Sequence, residues 1–148
     1  MIAFIGNIIW LLFGGLFMGL AWWLIGLFAF VTIIGIPWAK ACFIIGNFSF
    51  LPFGNEPIDR KYLTETDDIG TGEWGIIGNV IWCVFAGFWL ALGHVVSAFV
   101  CAMTIIGIPF AIQHLKLAMI SFSPIGQAIV SKDIAEKIRL ANSSALNR

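Results

Sequence analysis

Four ionisable side chains stand within long apolar stretches of this 148-residue chain: Lys40, His94, His114 and Lys116. A charge at mid-bilayer costs about 2.5–3.5 kcal/mol on insertion scales, so each is a candidate for function. Lys40 lies one turn into its segment and can reach headgroups along its aliphatic stem. Lys116 sits mid-segment with less room to do so. Gln113, three residues before it, shares its helical face, so Gln113, Lys116 and Ser123 form a stripe able to line a water-filled path. His114 falls on a different side. His94 is a candidate for proton-linked work, against the plainer reading of a histidine bonded to nearby backbone.

Backbone supplies the second kind of chemistry. Thr32, Gly35 and Pro37 in Thr-Ile-Ile-Gly-Ile-Pro return as Thr104, Gly107 and Pro109 in the same hexapeptide. Proline disfavours helical geometry in the residue before it but suits the first turn of a new helix. Each motif therefore breaks a helix, leaving carbonyls of one segment and N–H groups of the next without intrahelical partners. In hydrocarbon such groups must find protein, water or ligand: an anion at the N–H end or a cation at the carbonyls. The plainer reading is a tight turn at the membrane surface. Nothing suggests catalysis: no HExxH, no phosphate loop, no nucleophile elbow, and no carboxylate in an apolar stretch. Cys42, Cys83 and Cys101 lack C-x-x-C spacing and read as small buried hydrophobes, so neither metal nor cofactor is expected.

These residues sit in a sequence that repeats. Ile5-Gly6-Asn7 with Trp10 returns as Ile77-Gly78-Asn79 with Trp82, and Pro52 and Gly54 return as Pro124 and Gly126, all at one offset of 72 positions. Two copies are too few for a solenoid, and paired Gly/Pro-interrupted apolar segments suit a membrane protein built from internal repeats. Composition agrees, with 60% apolar and 11% charged residues against about 45–50% and 25% in soluble domains. The N-terminus lacks a basic region and a small-residue cleavage site, so the first apolar segment is expected to stay. Balanced charge gives no reason to expect nucleic acid.

The expected architecture is all-α and membrane-integral. Residues 1–54 form the first repeat, 55–73 a polar acidic linker, 74–126 the second repeat and 127–148 a cytoplasmic tail. Each repeat reads as a long transmembrane helix, from about Ile2 to Ile34 or Trp74 to Ile106, a break, and a short membrane-inserted helix to Phe50 or Phe122. The short helices either cross, giving four spans, parallel halves and a linker on the tail's side, or re-enter, giving two spans, inverted halves and a linker on the opposite side. Four inserted helices are expected, the short pair crossing incompletely. Gly15-x-x-x-Gly19 invites close helix approach, more readily inside the chain than across a dimer. In the tail, Ile134, Ile138 and Ala141 share a face, predicting an amphipathic helix that Asn142-Ser143-Ser144 ends. Lys132, Lys137, Arg139 and Arg148 place the tail in the cytoplasm by the positive-inside rule. The linker acids could gather cations at a pore mouth.

Gly-Asn-Ile-Ile-Trp paired with Thr-Ile-Ile-Gly-Ile-Pro, together with Pro52-Phe53-Gly54-Asn55-Glu56, resembles the YccF family of bacterial inner-membrane proteins. The resemblance implies a small multi-pass protein of two tandem copies and carries no activity with it. It also implies a lysine seven residues after the motif proline, which Lys116 matches and Ile44 does not. The leading functional expectation is an oligomeric channel or transporter for a small ion or solute, pore-lined near Gln113 and Lys116. The alternative is a non-transporting scaffold or binding partner of another membrane protein. The expected partners are the lipid bilayer and further copies of the chain.

Overall fold

The computed structural model describes residues 1–64 and 70–146. Glu65, Asp67 and Asp68 of the linker, and Arg148 of the tail, lie outside them. Each repeat is a helical hairpin. Its first arm is long: α1 covers Ile2–Val31, and its equivalent, here α4, covers Glu73–Ala102. Both run without proline and carry almost no polar side chain, so nothing competes with the helix ladder. Each contains one wide π-type turn, at Leu11–Gly15 and Cys83–Gly87. Gly14 leaves helical geometry in the first (φ 157°, ψ −28°), whereas Ala86 takes that place in the second.

The motifs at the repeat ends are clasps. α2 (Ile36–Phe50) and α5 (Ile108–Phe122) are the short second arms, each with its proline in the first turn. Trp10 Nε1 donates to Ser49 O at 2.6 Å and Trp82 Nε1 to Ser121 O at 2.9 Å, satisfying a carbonyl in the last turn of each short arm. Beyond it, Asn7 Nδ2 donates to Phe53 O at 3.1 Å while its Oδ1 accepts from Phe53 N at 2.9 Å. Asn79 binds Ile125 in the same two ways. Gly54 and Gly126 then turn the chain at φ 90° and 89°, a conformation that other residues adopt only under strain. Gly15 and Gly19 pack under the Trp10 and Phe50 rings, so that motif serves contacts within the repeat.

The start of the linker and the start of the tail are not loops. β1 (Asn55–Asp59) pairs antiparallel with β2 (Gln127–Ser131), Pro57 standing opposite Ile129. Those two are equivalent residues, so a pseudo-two-fold axis passes between them. The one-turn helix α3 (Lys61–Thr64) follows β1, and α6 (Lys132–Leu146) follows β2. In α6 the covered positions are Ala135, Ile138 and Asn142; Ile134 and Ala141 face out. The amphipathic face is thus turned by one residue from that expected, because the helix is seated on the sheet. Asn142-Ser143-Ser144 continues the helix, the serine hydroxyls bonding back to Leu140 O and Ala141 O.

The hairpins lie head to tail. Trp38, at the break end of the first, donates to Gly78 O at the open end of the second. Phe53, at the open end of the first, meets Phe110 at the break end of the second, with ring centroids 5.5 Å apart. The strands run between the two open ends: Lys132 N bonds Gly54 O and Arg60 N bonds Gly126 O. The halves are therefore inverted within the molecule, yet linker and tail meet in one sheet. Neither of the two expected topologies combines those features. Trp10, Trp22, Ile45, Phe48, Trp82 and Leu117 form the core, with Ile129 of β2 packed against it. The long arms remain bare, only 22% of their most apolar stretch being buried.

Candidate functional site

The breaks are closed. Thr32 Oγ1 donates to Ala29 O and accepts from Gly35 N at 3.1 Å, and Thr104 repeats both bonds with Cys101 and Gly107. Gly35 and Gly107 are required because a Cβ there would strike the carbonyl of Ala29 or Cys101. In the first break the N–H groups of Thr32, Ile33, Ile34, Gly35 and Ile36 all find acceptors within the chain. For these five groups the expectation of N–H groups left open for a ligand is corrected. Pro37 and Pro109, having no N–H, add none.

Nor do the cations form a free polar stripe. Lys116 Nζ lies 3.3 Å from Glu56 Oε1 on β1, and Arg139 of α6 bonds the other carboxylate oxygen at 2.5 Å. Partial burial opposes the ionised form of Glu56, but Arg139 and then Lys116 outweigh it and hold the carboxyl below its ordinary value of 4.5. Ser123 Oγ accepts from Asn79. Gln113 is buried, and its Oε1 has no partner. Lys40 is exposed and lines a cavity of about 310 Å³ with Arg60, Trp74 and Gln127, on the side of the sheet. Along the expected path of Gln113, Lys116 and Ser123, the lysine and the serine are thus taken by the chain's own partners, and Gln113 is buried.

The two histidines, by contrast, come together. His94 on α4 and His114 on α5 are both buried, their Nδ1 atoms 3.2 Å apart. At that distance one Nδ1 carries the hydrogen and the other accepts it, so the contact holds a single shared proton. His94 Nε2 is buried with no partner. Trp10 covers the pair, its ring centroid 4.7 Å from that of His114. The equivalent positions in the first repeat are Trp22 and Cys42, where Trp82 stacks on Trp22 at 6.1 Å. Two changes at facing positions have replaced an indole and a thiol with two imidazoles.

A cavity of about 310 Å³ opens beside the pair. Phe13 and Gly14 of the wide turn in α1 form one wall, Cys101, Thr104 and Gly107 around the second break the other, and His114 also lines it. Its pseudo-symmetric counterpart, about 400 Å³, lies between Phe85 of α4 and Thr32 and Gly35 of the first break. Only the cavity at the second break includes an ionisable group. Sequence reading treated His94 and His114 separately. The 72-residue offset, which places both on substitutions at facing positions, was the signal that joined them.

The repeat boundaries also match a known domain. The model of the inner membrane component domain, YccF, matches residues 5–55 and again 77–127. The chain belongs to the YccF family. It is 34% identical over 140 residues to Inner membrane protein YccF of Escherichia coli (strain K12), covering 93% of both chains. The protein of that name from Shigella flexneri is similar to the same extent. No solved structure matches the chain. Membership makes this an inner-membrane protein, in keeping with the bare apolar arms. Each matched YccF domain ends at the first residue of its strand, so the sheet begins where the family domain stops.

Proposed function

We propose that this chain is a membrane-resident binding protein, non-catalytic and without a conduit of its own, that holds a small apolar molecule at the His114 cavity. The observation that carries the reading is the paired replacement of Trp22 and Cys42 by His94 and His114. It sets an imidazole in the wall of one apolar cavity and not of its twin. Binding pockets commonly combine an apolar lining with a few polar groups that fix orientation. The ligand class is an apolar body bearing one hydrogen-bonding group, which the membrane itself supplies in quantity. A conduit built from several copies is the reading this one displaces, since Lys116 is neutralised by Glu56 and the first break closes on itself.

The tail and linker share a sheet, so in this reading they share a side, and the basic residues Lys132, Lys137 and Arg139 support the cytoplasm as that side. Titration of purified protein with a long-chain alcohol and the matching alkane, read by indole fluorescence, tests the binding reading. Saturable binding that prefers the alcohol, with the preference lost in His114→Cys, is the expected result. Partitioning that never saturates sinks it. Selective ion flux through liposomes holding the wild-type chain, abolished in Lys116→Ala, would restore the conduit.

A further inference from the structure

We infer that the helices of this protein lie along the membrane within one leaflet, under a polar cover formed by the strand pair and α6, and do not cross it. Three observations converge on this arrangement. First, the polar layer lies along the hairpins. The sheet runs from Gly54 at one end of the helical layer to Gly126 at the other, and α6 packs on it. Lys116, in the middle of α5, reaches Glu56 in the same layer.

Second, charge is confined to that face. Among the described residues, the charged side chains other than Glu73 and Lys40 belong to β1, α3, α6 or the Arg60 junction between β1 and α3, or pair with that layer as Lys116 does. Lys40 lines a cavity with Arg60 and Gln127 beside it. Upright hairpins would hold these groups at every depth of the hydrocarbon, at about 2.5–3.5 kcal/mol for each one near its centre. Lying flat, the same groups all reach water at one surface.

Third, the tips of both breaks are apolar. Ile33 and Ile34 at one break are 75% and 82% exposed, and Ile105 and Ile106 at the other are 87% and 82% exposed. In an upright molecule these tips would stand in the headgroups on opposite sides. In a flat one they meet acyl chains, where the closed hydrogen bonding of the first break is what hydrocarbon demands. Dimensions agree. A helix's width of about 10–12 Å fits one leaflet of about 15 Å.

Single cysteines in the full-length chain, with Cys42, Cys83 and Cys101 replaced by alanine, decide between the two arrangements. A membrane-impermeant maleimide is applied to right-side-out and to inverted membrane vesicles. Lys137→Cys and Lys61→Cys should label from one and the same side. Ile33→Cys and Ile105→Cys should either label from that side alone or stay at the level of the cysteine-free chain until detergent is added. Labelling of Ile33→Cys and Ile105→Cys from opposite sides, or of either from the side facing away from Lys137, overturns the proposal. That outcome would favour upright copies meeting through their polar faces. The unsubstituted chain supplies a check free of folding defects. In asymmetric vesicles, brominated lipid confined to the leaflet beneath the cover should quench the exposed Trp74 and Trp89. Equal quenching from both leaflets overturns the proposal as well.

Discussion

His94 and His114 illustrate what a duplicated sequence permits. The first repeat keeps a large ring and a small thiol at these positions; the second keeps two rings of middle size joined by a hydrogen bond. Replacing either histidine alone with leucine strands the other's buried polar atom, a loss of about 1–3 kcal/mol. The double replacement His94→Trp with His114→Cys restores the first repeat's chemistry and should cost less than either single leucine variant, as measured by thermal unfolding in detergent. At Glu56 the expectation concerns pH. Its carboxyl titrates lower in the folded chain than its ordinary value of 4.5. The contribution is therefore complete above the unfolded value and fades as pH falls through the folded one. An unfolding series over acid pH should lose this dependence in Glu56→Gln. Ile33 is a third case: it is a β-branched residue held at φ 62°, while Ile105 is not at positive φ. Relieving such a conformation is worth about 1–2 kcal/mol, so Ile33→Gly should stabilise the protein and Ile105→Gly should not.

Among the elements, the long arms, the breaks and the short arms were all legible in the sequence, because glycine, proline and unbroken apolar runs act locally. The reason for Asn7 and Trp10 was not. Their side chains bond backbone 46 and 39 residues away, and no periodicity encodes such a partner. The strands were hidden for a different reason. A five-residue segment with proline at its centre, beginning in an acidic stretch, reads as a loop until its partner beyond the second repeat is known. Lys116 was legible as costly and misread as free, since Glu56 stands 60 positions away. The clasps are open to test. Trp82→Phe keeps most of the ring packing but removes the donor to Ser121 O, so it should cost about 1 kcal/mol, with Trp10→Phe costing a similar amount. Thr104→Val should destabilise the second break by removing the hydroxyl that bonds both Cys101 O and Gly107 N, leaving Gly107 N with the Thr104 carbonyl alone.

The whole molecule has two unlike surfaces, one polar layer and one set of bare helices, in keeping with the inner-membrane assignment that family membership gives. Its two-fold arrangement has a further meaning. Residues that face each other across the strand pair are those expected where two identical polypeptides meet about an axis, each offering the same patch. Here one backbone carries both patches. The chain is thus built as a pair of half-length subunits fused end to end. If joining them contributes only proximity, two separately expressed pieces, 1–64 and 70–148, should find each other in the membrane and copurify. Each half would then hold its own fold and its own share of the seam, and the histidine pair would mark the second half alone.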